Sequence, residues 1–357
     1  MADPAPRIWA LLGAHRGDNN QVIALAEALG EPYERKMLVY NALRRLDTRL
    51  LGASLRSLDD RSRASVREGA PAMTISIGHR SVPVVRAIRA RSGGRTRSVH
   101  LGNPRVAPHH FDLVITTPQY PVPDAANVMR IPVALGGSST AAPPSEAAMR
   151  FLAALPRPLR LLLLGGPSRY WTLRADEVAR AITTLLDDID AEGGALVVLG
   201  SPRTPTDALG EAARAIADAA VPAVLAPVDG PPSYAELLFA ADRIFVTADS
   251  VSMISEALRT GKPLGLVPIR NTWFGRLWMS LMDLLRPGKP VHPRDLRFFW
   301  RELERRGLAG TLRQPSRGGA PDVLAAAAAR VRQLLEPPAR PATNDRDSDR
   351  PTGASPA

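Results

Sequence analysis

Short apolar runs alternate with helical patterns along almost the whole chain, and this alternation constrains the fold more than any other feature. The first half reads IWALLG (8–13), a helix over QVIALAEALG (21–30), then KMLVY (36–40) and AMTISIG (72–78). A helix over VPVVRAIRA (82–90) follows, then SVHLG (98–102) and FDLVITT (111–117). The runs are brief, continuous and bounded by Gly, Pro or Asn, the pattern of strands buried on both faces. Strands that alternate with helices imply βαβ units and a parallel sheet covered by helices.

The alternation pauses between Pro132 and Pro158, where LGGSSTAAPPSEAA is rich in Gly, Ser, Pro and Ala, and one helix is expected over Ser145–Ala154. It then restarts with LRLLLLGG (159–166), a helix over 174–192, ALVVLGS (195–201), a helix from TPTDALG, AVLAP (223–227), a helix over 233–241, RIFVTA (243–248), a helix over 250–260 and PLGLVPI (263–269). The expected fold is α/β, with two Rossmann-like domains facing a cleft and a C-terminal helix that crosses back. The expected boundaries are 1–135 for the first domain and 136–158 for a linker with a helix. The second domain takes 159–315, a helix 320–336, and a disordered tail poor in apolar residues 337–357.

Composition narrows the partners. The chain has 357 residues and a net charge of +11, nearly all of the positive charge being arginine. A basic excess suits anionic partners, but aromatic residues are only 5% and no recognition-helix, RNA-binding or zinc-finger signature occurs. Nucleic acid is therefore not expected. There is no cysteine, which excludes a thiolate zinc site and a cysteine nucleophile. The start MADPAPRIWALL has no basic region before its apolar run, and no run reaches the ~18–20 residues that span a bilayer. The expected setting is cytoplasmic. The aromatic, apolar stretch 271–289 has basic residues nearby. It reads either as a core helix closing the second sheet, the preferred reading, or as an interfacial helix making peripheral contact with an anionic membrane at the inner face of the plasma membrane.

In open α/β sheets, ligands bind beyond the carboxyl ends of the strands, so the loops after strands carry the candidates. GAHRGDNNQ (13–21) offers His15 and Asp18 for acid–base chemistry, although Asp18 or Asn19 also reads as a helix cap. GHRSVP (78–83) places His79 and Arg80 before a helix N-terminus, where an anion is favoured, or else forms an ordinary turn. In LLLLGGPSRYW the pair Gly165–Gly166 lets backbone approach a phosphate, with Ser168 and Arg169 at hand. GSPRTP offers Ser201, Arg203 and Thr204, or simply starts a helix at Thr204–Pro205. No metal site is expected, because the adjacent His109 and His110 have no carboxylate at ligand spacing.

TADSVSMISEALRTGKP (247–263) is the most polar helix start. Asp249 or Ser250 is placed to cap, Ser252 and Glu256 lie four apart on one face with Ser255 beside them, and Met253, Ala257 and Leu258 are assigned to the core. The stripe suits a phosphate near Ser250 and Ser252 and a ribose diol at Glu256. A capping box around Ser252 with Glu256 merely exposed is the plainer alternative, though that motif wants the acid at three residues.

FVTADSVSMISEALRTGKPLGLVP resembles the donor-nucleotide element of GT-B glycosyltransferases. Together with GDNNQVIALAEALG, ISIGHRSVPVVRAI, HLGNPRVAPHHFDLVITTPQY, LLLLGG and GSPRTP, it makes the chain resemble the mitochondrial-fission Elm (elongated mitochondria) family and its bacterial relatives. The resemblance implies a GT-B-like fold and a nucleotide-diphosphate sugar in the second domain, held by residues such as Ser250, Ser252 and Glu256, with no cofactor. The function it implies is transfer of the sugar to a glycan or lipid-linked acceptor of the envelope or cell surface. Plant members are associated with recruiting a dynamin-related protein to mitochondria. The Arg-, Ala- and Pro-rich composition here looks bacterial. GAHRGDNN departs from the glycine-rich loop of peptidoglycan glycosyltransferases, so neither acceptor nor base carries over from them. A non-catalytic nucleotide-binding scaffold and a sugar-nucleotide epimerase are the alternative functions.

Overall fold

The computed structural model describes residues 7–136, 144–319 and 321–335. The first half runs β1 (Ile8–Leu12), α1 (Arg16–Leu29), β2 (Tyr33–Met37), α2 (Thr48–Leu51), α3 (Asp60–Arg67), β3 (Met73–Ile77), α4 (Val82–Arg91), β4 (Arg97–Leu101), β5 (Leu113–Thr116) and β6 (Val128–Arg130). Helix α5 (Glu146–Ala153) follows in the connection. The second half runs β7 (Leu159–Leu163), β8 (Trp171–Thr172), α6 (Ala175–Glu192), β9 (Ala195–Leu199), α7 (Thr206–Ala217), β10 (Ala223–Ala226), α8 (Tyr234–Ala240), β11 (Arg243–Thr247), α9 (Val251–Arg259), β12 (Leu264–Val267) and β13 (Arg270–Asn271). Helices α10 (Trp273–Leu285), α11 (Leu296–Arg305) and α12 (Val323–Leu335) complete it.

Six strands of the first half form one sheet in the order β2-β1-β3-β4-β5-β6, and five of the second form another in the order β10-β9-β7-β11-β12. Every pairing in both is parallel. Each order reverses once. The first sheet reverses between β1 and β3, and the second between β7 and β11. A crevice opens at such reversals, beyond the strand carboxyl ends. Strands β1, β7 and β9 are buried at every position, as their unbroken apolar runs require. Arg160 sits in β7 fully buried because α6 ends beside it. Its guanidinium donates to the Gly193 carbonyl at 2.9 Å and pairs with Glu192 at 2.7 Å.

The GT-B-like expectation holds: two Rossmann-like halves, with α12 returning from the second to pack on α1 of the first. Arg332 in α12 donates to the Ala28 carbonyl at the end of α1. The expected helix in the connection is present as α5, capped by Ser145, whose amide donates to Glu236 of α8 at 2.6 Å. The expected tail, 337–357, lies outside the described residues. Several elements differ from the sequence reading. The strand expected at 36–40 is Tyr33–Met37, an edge strand with half-exposed faces and so no continuous apolar run. The helix expected from residue 21 begins at Arg16. Strand β6 is too short and too exposed to show a pattern. Helix α10 is packed on one face only. Gly275 and Met279 are buried, while Trp273, Leu277, Leu281, Leu284 and Leu285 are between 45% and 80% exposed. The preferred core-helix reading therefore fits only the face that carries Gly275 and Met279. Among the described residues no helix is long and apolar enough to cross a membrane.

Candidate functional site

Three loops leave the carboxyl ends of β7, β9 and β11 and are knitted into one unit. Thr247 ends β11, and its hydroxyl oxygen accepts the Gly165 amide at 2.7 Å. Asp249, only 3% exposed, accepts the Gly166 amide at 2.9 Å and the Thr247 hydroxyl at 2.7 Å. It also meets the Arg203 guanidinium at 3.4 Å. Thr204 donates to the Gly165 carbonyl at 2.7 Å, and Ser201 to the same oxygen at 3.2 Å. The glycines are needed for this closeness. A Cβ at Gly165 would stand 2.3 Å from an Asp249 oxygen, and one at Gly166 would stand 2.2 Å from the Arg203 carbonyl.

These contacts reassign several candidates. Both diglycine amides are spent inside the protein, on Thr247 and Asp249, so they hold the loops together and leave none for a phosphate. Asp249 is the centre of that network, and the helix cap is Ser250, whose Oγ accepts the Met253 amide at 3.5 Å. Arg203 is half-exposed beside the network. Ser168 donates its amide to the Trp171 carbonyl at 2.8 Å. Arg169 lies 5.2 Å from the Phe274 ring of α10.

The polar stripe on α9 divides three ways. Ser252 faces the first half: a Cβ at Gly17, in the first turn of α1, would lie 3.2 Å from its Oγ. Ser255 is buried and belongs to the connection, where its Oγ accepts the Ala134 amide at 3.0 Å and donates to Val251 at 2.7 Å. Arg259 donates to the Ala134 carbonyl at 3.2 Å, so two α9 side chains clamp one residue at the end of the first half. Glu256 accepts the Tyr234 hydroxyl at 2.7 Å. Burial, and then Glu256, push that phenol well above its ordinary value. Sequence reasoning missed Thr247, Tyr234 and Arg259, none of which has a local signal. Each is defined by a partner far along the chain.

On the first half, Asn19 closes the β1 loop by accepting the Gly13 amide and donating to the Gly13 carbonyl, both at 2.8 Å. Neither Asp18 nor Asn19 caps α1; His15 occupies that position without a side-chain cap. Asp18 is half-buried, and burial raises its carboxyl above the ordinary range against the opposing pull of His15 and Arg294. His79 follows β3 and is held down to about 4, by burial first and then by Arg105 and Arg80. Arg294 comes from the segment before α11. That segment and α11 tie the halves together: the Asp295 amide donates to the Gln119 carbonyl at 2.7 Å, and Trp300 of α11 donates to the Ala248 carbonyl at 2.8 Å. A cavity of about 330 Å³ lies between residues 118–132 and α11, and none of the strand-end candidates lines it.

The structure thus brings His15, Asp18, Ser250, Ser252 and Arg203 toward the junction of the halves. The N-termini of α1 and α9 meet there, at Gly17 and Ser252. Two Rossmann-like halves, each with one strand-order reversal and joined at Gly17 and Ser252, make this a GT-B-like α/β protein. More particularly, the chain belongs to the mitochondrial fission ELM1 family, whose model matches residues 16–288. It is similar to mitochondrial fission protein ELM1 of Arabidopsis thaliana, at 26% identity over 244 residues. That match covers 61% of this chain and 56% of the relative, so the chain spans about half the length of that relative. Among solved structures, a UDP-glucosyltransferase from Polygonum tinctorium superposes with a TM-score of 0.52 at 13% identity, over 94% of this chain and 99% of that one. That likeness shows the fold. A UDP-GlcNAc 2-epimerase from Methanocaldococcus jannaschii matches with a TM-score of 0.49 at 12% identity, over 92% and 99% of the two chains.

Proposed function

We propose that the protein is a GT-B glycosyltransferase that takes a sugar from a nucleotide-diphosphate donor and passes it to a glycan or lipid-linked acceptor, without a metal. One observation carries the reading: two helix N-termini, one from each half, converge at Gly17 and Ser252, with the Arg203 guanidinium beside them. Helix N-termini present unspent amides and a positive dipole end to an anion. A leaving diphosphate placed there is neutralised by the α9 amides, the Ser250 and Ser252 hydroxyls and Arg203 as its charge develops. Glu256 sits one turn further along α9 and takes the ribose diol, exchanging its Tyr234 bond for the substrate.

In this reading residues 1–135 are the acceptor side and 159–315 the donor side. Asp18, or His15 beside it, is the general base for an inverting attack. A carboxyl lifted by burial is better suited to accept a proton near neutral pH than an ordinary one. The similar glucosyltransferase acts on a UDP sugar by its own description, which agrees with a uridine nucleotide donor. The open face of α10 is the proposed peripheral contact with anionic lipid at the inner face of the plasma membrane, since Arg276, Arg286 and Lys289 flank its exposed leucines.

Calorimetry with a panel of nucleotide sugars tests the reading. One of them binds, and Glu256→Ala weakens it by about 1.5–3 kcal/mol, the worth of a charged hydrogen bond. No binding to any nucleotide sinks it. Binding with no acceptor-dependent release of nucleotide, unchanged by Asp18→Asn, leaves a binding protein; interconversion of the bound sugar identifies an epimerase.

A further inference from the structure

A second set of cations gathers on the first half, outside the loops assigned to the nucleotide. Strands β3 and β4 are neighbours, so the loops that leave their carboxyl ends lie side by side. One brings His79 and Arg80, the other Arg105. Helix α2 is drawn to the same place: the Thr48 hydroxyl donates to the His79 carbonyl at 3.4 Å, which leaves Arg49 one residue further on. The segment before α11 adds His292. The His292 carbonyl accepts the Tyr170 hydroxyl at 3.4 Å, and the Pro293 carbonyl accepts from the Asn103 amide side chain at 3.2 Å. Five basic side chains thus arrive from four segments that hydrogen bonds hold together.

Arg49, Arg80 and Arg105 are in no ion pair among the described residues, a property they share with other exposed arginines of this half. The Asp47 carboxylate lies near His79, Arg105 and His292 and spends one oxygen on the Arg49 amide, at 2.7 Å. What sets the cluster apart from an ordinary solvated face is that it is drawn from four segments and carries backbone strain. Arg105 has φ 58°, alone among the described non-glycine residues in being positive. An L-residue keeps that conformation only where its surroundings impose it, and such outliers gather at ligand sites. Asn103 imposes it here, accepting the Arg105 amide at 2.9 Å. The cations also feel one another: Arg105, Arg80 and His292 all oppose protonation of His79.

We propose that Arg49, Arg80, Arg105, His79 and His292 form a binding site for the phosphate or diphosphate of a second substrate, so that the acceptor is a phosphorylated molecule. Guanidinium forks match phosphate oxygens in pairs. The site also continues toward the base: Tyr120 lies near Arg105 and near Arg294, and Arg294 lies near Asp18. On the transferase reading, the rest of the molecule extends from Arg105 past Tyr120 toward Asp18. Calling the bound molecule the acceptor rests on the transferase reading; the phosphate site does not.

The test is titration of the full chain with inorganic pyrophosphate, with and without excess UDP. Pyrophosphate binds in both conditions, and Arg49→Gln and Arg105→Gln each weaken it about tenfold while UDP affinity stays within about twofold of wild type. These side chains are exposed, so the variants fold. The His79 ring resonances titrate at higher pH with pyrophosphate bound, because the anion offsets the surrounding arginines. A second arm compares monomeric dihexanoyl phosphatidic acid with glucose 6-phosphate. Tighter binding of the first assigns the site to a lipid phosphate, and of the second to a soluble one. Pyrophosphate binding that UDP abolishes, or that ignores both arginine variants, overturns the site, as does no binding at millimolar concentration. If nucleotide sugars fail to bind while arginine-dependent pyrophosphate binding persists, the transferase reading falls and this site stands.

Discussion

Gly17 and Ser252 bring the two halves into contact: a Cβ at Gly17 would stand 3.2 Å from the Ser252 hydroxyl. That spacing is tight, but a hydroxyl can turn away. Gly17→Ala is therefore expected to leave stability within about 1 kcal/mol of wild type, since a helix gains roughly that much when Gly becomes Ala. Gly17→Leu cannot be absorbed by a rotated hydroxyl. It is expected to widen the junction, visible as a larger radius of gyration in small-angle scattering, and to weaken nucleotide binding. Wild-type affinity in Gly17→Leu would show that the donor does not sit between α1 and α9.

Asp249 links three strand-end loops, so its loss should act on folding before it acts on ligand. Asp249→Ala leaves the buried Gly166 amide without its acceptor, a cost of about 1–3 kcal/mol. Gly165→Ala drives a Cβ to 2.3 Å from the Asp249 carboxylate and should destabilise as well. The double variant removes the clash together with the network. Urea unfolding should therefore show less destabilisation than the sum of the two singles, as expected for residues in contact. Additive values would mean that the loops relax independently.

The architecture was legible because buried parallel strands leave unbroken apolar runs, as LRLLLLGG and ALVVLGS do. The candidate loops were legible because the fold directs attention to strand ends. What each polar residue does there was not. The diglycine looked like a phosphate loop, yet whether its amides are free depends on Thr247 and Asp249, over 80 residues away in sequence. Ser255 looked like part of a ligand-facing stripe, but its partner, Ala134, is 121 residues distant. The edge strand β2 and the short β6 gave weak signals for the opposite reason: their faces are partly exposed, and the apolar pattern dissolves.

The clamp on Ala134 ties the end of the first half to the second. Ser255→Ala strands the Ala134 amide in a buried place and should cost about 1–3 kcal/mol. Arg259→Gln loosens the same residue from its carbonyl side. Either variant should raise hydrogen exchange at residues 131–136 beyond the change in the β7 and β11 amides. Uniform loss of protection across both halves would argue that Ser255 contributes only to general stability.

Helix α10 exposes Leu277, Leu281 and Leu284 on a face with no partner among the described residues. Leu277→Glu with Leu281→Glu should change stability by less than about 0.5 kcal/mol, as surface substitutions usually do. The same pair should abolish co-sedimentation with vesicles of phosphatidylglycerol, and the wild type should bind neutral vesicles less. A wild-type chain that ignores vesicles and sediments as a dimer, broken by the same variant, would assign the face to a second copy of the chain.

His100 makes the fold sensitive to acid. It is fully buried on β4, with Nδ1 3.0 Å from the Ser76 hydroxyl, and burial holds it down to about 3. In the unfolded chain a histidine titrates near 6.5. Above that pH both states are neutral and His100 adds no pH dependence. As pH falls from 6.5 toward 3, the unfolded state binds a proton that the native state refuses, so stability drops by up to about 1.4 kcal/mol per pH unit. His79, held to about 4, acts in the same direction over a shorter span. His100→Leu should flatten the curve of unfolding free energy between pH 6 and pH 4 by close to one proton, measured with urea at a series of pH values. An unchanged slope in that variant would mean that His100 gains a proton in the folded protein, with water or Ser76 rearranging around it.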